Sequence, residues 1–511
     1  MYLQFRYTEV HKGLYLCHKM GKQKMYRKGE VIQVKITDTA FGGKGISRIQ
    51  TEKGNFTVFV QNTIPGQEVR AQVIKCKNRY AECRLREVIS SSPDEIQTPY
   101  QTIPGAPYAS LPIEIQHKYK EDTAIDLFKR IGGIKDVRKI YQGIVSSPRL
   151  WHYRNKMEYS FSEIRHDLHS DEKTDDFGLG FKHRGTWWAV ENLDRDSGLF
   201  DKQIEDDLYK VRLWCEKTGL PAWHPPKREG FFRFFVIRRS IANDTLLINI
   251  VTTSGGEDAF IESEFVDFIL SIWGHRVAGI LHTVNDDIGE RVEAREGVSK
   301  LIYGGDRITE VLHGLKFDIS LSSFFQTNPS CAERLYSEVV NLAIKKNMGG
   351  KGDIVLDLFC GTGTISQLLA KHHKGEIIGV DIVESAIEDA RISAANNGVD
   401  NITFHAADVG KFLLEYPEYK GRIRTLIMDP PRAGISPKTL RKVIRLLADR
   451  IVYVSCNPAT QARDMVTLEE NGYPLISIKL VDQFPHTAHV ESIALFERVP
   501  GSVPIINMRN N

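Results

Sequence analysis

A cysteine and a glutamate near the carboxyl end of the chain could together carry out nucleophilic chemistry. Cys456 follows the apolar run RIVYV and precedes Asn-Pro, so we expect it at a strand end, whereas Glu491 lies in FPHTAHVE. A thiolate that adds to C6 of a uracil ring makes C5 nucleophilic, and a carboxylate can then remove the C5 proton so that the thiolate leaves. The alternatives are an ordinary buried cysteine and a solvated surface carboxylate.

A glycine-rich turn earlier in the chain has features of a nucleotide site. The apolar run DIVLDLF ends at Phe359 and leads into Gly361-Thr-Gly363, after which a helical pattern begins. Such a turn between a strand and a helix lets the backbone approach a ligand closely. The spacing Gly361-x-Gly363-x-x-Ser366 lacks the third glycine of the pyrophosphate fingerprint, which favours S-adenosylmethionine over a dinucleotide.

Carboxylates end the strands that follow this turn. Asp381 is placed to accept hydrogen bonds from ribose hydroxyls, and Asp408 could reach an adenine amino group. Asp429 opens the motif Asp-Pro-Pro-Arg after the run RTLIM. Ligands bind outside the carboxyl ends of the strands in open α/β folds, so we expect these residues and Cys456 at one edge of a sheet.

Five motifs, in this order, resemble those of the RNA uracil-C5 methyltransferase family: FFQTN, DLFCGTGTIS, DPPRAG, SCNP and FPHTAHVES. The resemblance covers the chain from about Met25 to its end, and it implies that Cys456 is the nucleophile and Glu491 the base. It also implies contacts with the methyl donor from Gln326, Phe359, Gly361, Thr364, Asp381, Asp408 and Asp429. Thr364 and Asp381 stand where Asn and Glu are common in the family, but both keep hydrogen-bonding capacity.

The strand and helix patterns that must position these residues predict a multi-domain protein. Residues 1–24 are expected to be an extension, and residues 25–90 show five short strand patterns with Gly turns, which predict a small OB-like β-barrel. This segment resembles the TRAM domain, an RNA-binding module. Residues 91–310 are expected to form a linker and a central α+β domain that binds RNA. Alternating β and α patterns over residues 311–511 predict a Rossmann-like class I S-adenosylmethionine-dependent methyltransferase domain with a doubly wound parallel sheet.

Charge is distributed unevenly along the chain. The net charge is only +3, but residues 1–90 hold 17 Lys and Arg against 7 Asp and Glu. A basic module attached to a near-neutral body is typical of proteins that hold polyanions, so we expect RNA as a partner. No apolar run is long enough to cross a membrane, and seven cysteines without framework spacing favour a reducing compartment. We therefore expect a cytoplasmic protein, and a monomer.

The cysteines do not fit an iron–sulfur site. Some family members that act on 23S rRNA carry four cluster cysteines, three of them in a Cys-x5-Cys-Gly-Gly-Cys run after the barrel. Residues 84–120 contain no cysteine, and Cys76 and Cys83 fall within predicted strands. We therefore expect no 4Fe–4S cluster and no other metal.

Basic and aromatic residues outside the catalytic motifs are candidates for RNA contacts. Those of the barrel could bind phosphates: Lys28, Lys35, Lys44, Arg48, Lys75, Lys77 and Arg79. Residues 151–156 and 231–239 interleave aromatics with cations, as in sites that hold single-stranded RNA, although Phe232 and Phe235 are better explained as buried strand residues. The target uridine must leave its stack, and we expect Phe325 to offer it an aromatic platform.

The leading hypothesis is methylation of a uridine in 23S rRNA, because the tRNA enzyme of the family typically lacks the barrel; a tRNA substrate is the alternative. An exocyclic-amine N-methyltransferase would usually have an aromatic residue where Arg432 follows Pro-Pro, and it needs no thiolate. Cytosine-C5 RNA methylases normally use a differently placed pair of cysteines. Intact Cys456 and Glu491 argue against a non-catalytic RNA-binding or assembly factor.

Overall fold

Three large sheets and one hairpin organise the part of the chain that the structure describes. The structure, a computed structural model, describes residues 25–505 except for residues 53, 168–171, 185, 257–258, 293–296, 345–352, 420 and 503. The predicted extension over residues 1–24 lies outside the described residues.

The first sheet curls into a small barrel because apolar and polar residues alternate along its strands. These are β1 (Val31–Lys35), β2 (Asp38–Ala40), β3 (Lys44–Thr51), β4 (Gly54–Val60), β5 (Glu68–Cys76) and β6 (Tyr80–Ser90). Their order in the sheet is β1-β5-β6-β4-β3-β2. In β5, Val69, Ala71 and Val73 are buried and the residues between them are not, as a period of two requires. The barrel has six strands rather than the predicted five, because the short β2 was not recognised.

Residues 91–112 lead from the barrel to a long helix and a short strand, α1 (Ile113–Arg130) and β7 (Tyr141–Val145). A central α+β unit follows, with β8 (Lys156–His166), β9 (Lys173–Lys182), β10 (Val190–Asn192), α2 (Lys202–Lys217), β11 (Phe232–Arg239), β12 (Leu246–Thr252), α3 (Glu262–Trp273), β13 (Val277–Val284) and β14 (Val298–Gly304). Its strands form one sheet in the order β10-β9-β8-β11-β12-β13-β14. Phe232 and Phe235 are fully buried in its core, as predicted.

The carboxyl-terminal part is a doubly wound sheet, preceded by the hairpin β15 (Ile308–Leu312) and β16 (Leu315–Ile319). Its elements are α4 (Pro329–Ala343), β17 (Ile354–Leu358), α5 (Thr364–His372), β18 (Glu376–Asp381), α6 (Glu384–Asn396), β19 (Ile402–Ala406), α7 (Val409–Glu415), β20 (Ile423–Met428), α8 (Pro437–Arg445), β21 (Arg450–Ser455), α9 (Pro458–Glu470), β22 (Leu475–Val481) and β23 (Glu491–Glu497). The strand order is β19-β18-β17-β20-β21-β23-β22-β7, with β23 antiparallel to both of its neighbours. Residues on both faces of β17 and β21 are buried, which is why these strands are continuous apolar runs.

Strand β7 completes this eight-stranded sheet from outside its own stretch of sequence. It pairs in parallel with β22, although the predicted division assigned residues 91–310 to a linker and a central domain. Helix α1 also packs on the carboxyl-terminal part, where Phe128 shares a buried cluster with Met465 and Leu468. A five-residue strand pattern does not reveal which sheet edge the strand covers. Within the described ranges, no helix is long and apolar enough to cross a membrane.

Candidate active site

Cys456 and Glu491 meet at the carboxyl end of β21. Strands β21 and β23 are antiparallel neighbours, and Ser455 pairs with Ser492. One further step along each strand places Cys456 opposite Glu491, and directly opposed residues of antiparallel strands have Cα atoms roughly 4.5–5.5 Å apart. The thiol and the carboxyl group are therefore neighbours at the sheet edge, where parallel α/β sheets bind their ligands.

Burial keeps protons on both groups. It raises the pKa of Glu491 to about 8, an effect that Asp429 strengthens and Arg432 opposes. It also raises the pKa of Cys456 to about 11, with a further contribution from Glu491, while Arg432 opposes this rise by its charge and by a hydrogen bond. Glu491 is only 4% exposed, whereas Cys456 is half-buried and so can be reached from outside. At neutral pH the pair is a carboxylic acid beside a thiol, and a proton must leave before a thiolate forms.

The residues that follow Cys456 hold it against the Asp-Pro-Pro loop. The side chain of Asn457 caps α9 by accepting from the Ala459 N–H, and Pro458 occupies the first turn of that helix. The Asn457 amide also donates to the Arg432 carbonyl at 2.9 Å. The motif Ser-Cys-Asn-Pro thus ends a strand, starts a helix and fixes the neighbouring loop. A thiolate just before a helix amino terminus gains electrostatic stabilisation.

Arg432 is a site residue whose contact with Cys456 was not predicted. Its side chain is exposed, yet it opposes the raised pKa values of both Cys456 and Glu491. The available signal was its place directly after a strand-ending Asp-Pro-Pro. A guanidinium there favours the thiolate over the thiol.

The glycine-rich turn has the backbone that its sequence predicts. Phe359, Gly361 and Gly363 have φ values of 67°, 52° and 73°. A Cβ atom at Gly363 would lie 2.5 Å from the ring of Phe404, so the chain can turn here only with glycine. Thr364 begins α5 directly after the turn and is buried. The first amides of α5, which have no acceptor within the helix, lie next to this turn, an arrangement that suits a polar ligand.

The predicted donor-contact carboxylates lie along the same edge but in different surroundings. Asp381 accepts from the N–H groups of Gly361 and Val383, each at 2.9 Å. Asp408 is exposed and caps α7 by accepting from the Lys411 N–H at 2.9 Å. Burial raises the pKa of Asp429 to about 6. Asp381 is thus hydrogen-bonded to the glycine turn, whereas Asp408 caps the helix that follows it.

A buried tyrosine joins the two halves of the site. Burial raises the pKa of Tyr336, and the carboxylates of Asp429, Glu491 and Asp357 add to the effect, while a hydrogen bond with Gln326 opposes it. Tyr336 is on α4, about two turns after Asn328, and no sequence signal marked it. Gln326 is half-buried, and its side-chain oxygen accepts from the Gln483 amide at 3.3 Å. Gln326 therefore hydrogen-bonds with the Tyr336 hydroxyl, on which the charges of Asp429 and Glu491 also act.

The aromatic platform predicted at Phe325 is wrong. Phe325 is 5% exposed and packs on Phe317 of the hairpin strand β16, whereas the adjacent Phe324 is 72% exposed. The hairpin has an apolar surface against which only one of the two adjacent phenylalanines can pack. The motif alone does not specify whether Phe324 or Phe325 is the buried one. Phe324 is therefore the ring of this motif that faces solvent.

The two stretches that were predicted to contact RNA make most of their contacts within the protein itself. Trp151 stacks on His486 with ring centroids 3.4 Å apart, and Tyr153 donates to the Pro485 carbonyl at 2.9 Å. In the second stretch Arg233 is 1% exposed and donates to the Asn285 carbonyl. In the barrel, Lys44 and Lys75 pair with Glu82 and Arg48 pairs with Asp38, while Lys28, Lys35, Lys77 and Arg79 are exposed. The exposed barrel cations remain available for phosphates.

Two parts of the chain match models of known families. Residues 26–85 match the model of the TRAM domain, and residues 269–499 match the model described as tRNA (Uracil-5-)-methyltransferase. An uncharacterized RNA methyltransferase of Caldanaerobacter subterraneus is 36% identical over 479 residues, which are 92% of this chain and 99% of that protein. Another from Clostridium acetobutylicum is 35% identical over 485 residues, 93% of this chain and 99% of that protein.

One solved structure is similar over almost the whole chain. It is the Pyrococcus abyssi tRNA (uracil-54, C5)-methyltransferase in complex with S-adenosyl-L-homocysteine, with a TM-score of 0.66 and 27% sequence identity. The match covers 91% of this chain and 100% of that one. Coverage this high requires that the barrel takes part in the match.

Proposed function

This chain belongs to the RNA uracil-5-methyltransferase family, and we propose that it methylates C5 of a uridine in RNA through a covalent intermediate on Cys456. The enzyme class, its dependence on S-adenosylmethionine, and the order of a TRAM barrel before a Rossmann-like domain agree with what the sequence predicted. The observation that carries the mechanism is the register of β21 and β23, which brings Cys456 opposite Glu491.

The reaction on the uracil ring needs one bond to Cys456 and one proton transfer to Glu491. Half-buried Cys456 first releases its thiol proton to solvent, which the charge of Arg432 favours. The thiolate then adds to C6, and the electron pair of the C5–C6 double bond moves into the enolate. C5 then takes the methyl group, which S-adenosylmethionine supplies, when bound, as an electrophile on its sulfonium. The Glu491 carboxylate removes the C5 proton, the double bond re-forms, and the C6–S bond breaks to release the thiolate.

The glycine turn and the strand-end carboxylates of this chain fit the methyl donor. The glycine turn leaves no room for a Cβ at Gly363, and Asp381 lies beside it with a carboxylate at the strand end. We assign donor contacts to this turn, with Phe359, Gly361 and Thr364, and to Gln326, Asp381, Asp408 and Asp429. Asp429 connects the methyl-donor site with the base because it also influences Glu491.

We propose ribosomal RNA as the substrate, with tRNA as the second candidate. The basic barrel supports a large RNA partner, as the charge distribution predicted. The tRNA candidate is supported by the similarity to the Pyrococcus abyssi tRNA methyltransferase, because a match over 91% of this chain must include part of the barrel. The barrel alone therefore does not separate the two substrates.

Two experiments test the proposal. Cys456→Ala should abolish methyl transfer, and RNA containing 5-fluorouridine should trap a covalent adduct on the wild type but not on that variant, because fluorine cannot be removed as a proton. Full activity of Cys456→Ala would refute the covalent mechanism. Cys76→Ala, in the barrel, is the matched control and should still form the adduct. Mapping of 5-methyluridine in the rRNA and tRNA of a deletion strain decides between the substrates.

A further inference from the structure

The segment that delivers Glu491 is held largely by residues from elsewhere in the chain. It comprises residues 482–490, connects β22 to β23, and is called the base loop below. Val481 pairs with Glu491, so the base loop leaves the sheet and returns to it directly beside the carboxyl group. Any shift of the base loop is therefore transmitted to Glu491.

Lys120 of helix α1 binds the first part of the base loop. Its ammonium lies 2.5 Å from one carboxylate oxygen of Asp482 and donates to the Phe484 carbonyl at 3.0 Å. His117, one turn earlier, lies 3.0 Å from the other oxygen of Asp482. Lys120 and Asp482 are 3% and 0% exposed. An ion pair this deeply buried is not an efficient source of stability, but it does require one geometry.

Gln116 binds the middle of the base loop with both ends of its amide. Its oxygen accepts from the His486 N–H at 2.7 Å, and its nitrogen lies 3.0 Å from the His486 ring nitrogen Nδ1. His486 has a φ of 66°, a conformation that a non-glycine residue adopts only when its surroundings hold it there. Trp151 stacks on the face of the His486 ring. Gln116 therefore fixes the most constrained residue of the base loop.

The apolar contacts of α1 follow a different pattern. Leu127 and Phe128 are buried, with Phe128 in the core beside α9, and Ala124 packs with Leu480 of β22 and with Val490 at the very end of the base loop. These residues account for the docking of the helix. The buried polar residues Gln116 and Lys120 instead hydrogen-bond to the base loop, and Gln116 also donates to the carbonyls of Tyr108 and Leu111 just before the helix.

We propose that Lys120 and Gln116 are positioning residues for Glu491, acting through the base loop in the elimination step. The inference rests on the proposed function, because it takes Glu491 to be the base. Residues far from the chemistry then set the rate at which the methylated adduct breaks down. The addition of the Cys456 thiolate to C6 does not depend on Lys120 and Gln116 in the same way, because Cys456 is held by β21 and the Asn457 cap.

The test separates these two steps. With 5-fluorouridine RNA, adduct formation reports addition and methyl transfer only, whereas with ordinary uridine RNA the adduct present at steady state reports slow elimination. Lys120→Met combined with Asp482→Asn removes the pair without leaving a buried charge. We expect it to trap 5-fluorouridine RNA about as fast as the wild type, but to accumulate roughly tenfold to a hundredfold more adduct on uridine RNA.

Gln116→Met is the second variant, for use if the double variant does not fold. It should show the same pattern, while Lys118→Met, an exposed neighbour on the same helix, should behave as the wild type. A folded variant with a wild-type amount of adduct on uridine RNA would overturn the positioning role.

Glu491→Gln is the reference that keeps the two proposals distinguishable. If it accumulates adduct and the α1 variants do not, only the positioning role fails. If Glu491→Gln itself eliminates at the wild-type rate, the proposed base is wrong, whatever the α1 variants do.

Discussion

The glycine turn is the proposed site of the methyl donor and the base loop carries the chain to Glu491. The contacts that hold the two segments in place come from different parts of the chain. The glycine turn takes its shape from its own backbone: three residues have positive φ, and Asp381 accepts from an amide within the turn. The base loop takes its shape from α1, from Trp151 and from the barrel, which are all remote in sequence. A change in the turn should act locally on donor binding, whereas the chemistry of Glu491 should respond to changes far away.

The largest expected effect is on the base itself. Glu491→Gln keeps the shape of the side chain but cannot take the C5 proton, so turnover should fall roughly 10²- to 10⁴-fold, the usual contribution of a general base. Quantification of 5-methyluridine in released RNA measures the loss. A variant that retains wild-type turnover would remove Glu491 from the mechanism.

The next effect belongs to the glycine turn. Gly363→Ala places a methyl group 2.5 Å from the Phe404 ring and should weaken binding of S-adenosylmethionine roughly tenfold or more, because the turn must open. Gly398→Ala has a similar positive φ with nothing within 4 Å of the new Cβ, and it is the matched control in calorimetric titration. Equal losses for the two variants would show that the close approach to Phe404 is not the cause of the weaker binding.

The pH dependence should follow the base. Because burial raises the pKa of Glu491 to about 8, the rate of adduct breakdown on uridine RNA should rise with pH up to that region and fall about tenfold per unit below it. The Glu491→Gln variant should lack this limb. A wild-type profile that is flat between pH 6 and pH 8 would contradict the role of the carboxylate.

Stability should change in the opposite sense to activity. Folded Glu491 keeps its proton up to about pH 8, whereas an unfolded chain releases it near the model-peptide value of roughly 4.3, so unfolding releases a proton between these values and stability falls as pH rises. Glu491→Gln should therefore be more stable than the wild type at pH 8, on the order of 4 kcal/mol, with the gain shrinking towards pH 4. Thermal melting of both proteins at several pH values measures the difference.

The smallest effect should come from the barrel contact of the base loop. Gly43→Ala brings a methyl group to 2.7 Å from the Cβ of Ala488 in the base loop, whereas Gly42→Ala meets nothing within 4 Å. Both glycines have positive φ, so both substitutions strain the backbone, but only Gly43→Ala also contacts the base loop. We therefore expect Gly43→Ala to slow elimination severalfold and Gly42→Ala to leave it closer to the wild type. Indistinguishable single-turnover rates for the two variants would show that the barrel does not influence Glu491.

The same contrast explains how far sequence could predict this site. The glycine turn, Cys456 and Asp429 were accessible because each lies where a strand ends, and local pattern reports strand ends. Lys120, Gln116 and Tyr336 carry no such signal, because their importance depends on contacts between distant parts of the chain. The prediction that Phe325 offers a platform to the uridine failed for the same reason, since the hairpin that buries this ring is formed by other residues. The sheet position of β7 depended on an open edge that only the folded domain possesses.

The position of β7 has a consequence for synthesis of the protein. Domains generally fold as they leave the ribosome, beginning at the amino terminus. Here α1 and β7 are made well before their partners β22 and the base loop. The early segment must stay unpaired while the central unit and most of the catalytic sheet emerge. Its long-range pairing is of the kind that folds slowly, so the active site closes only after β22 and the base loop have been made.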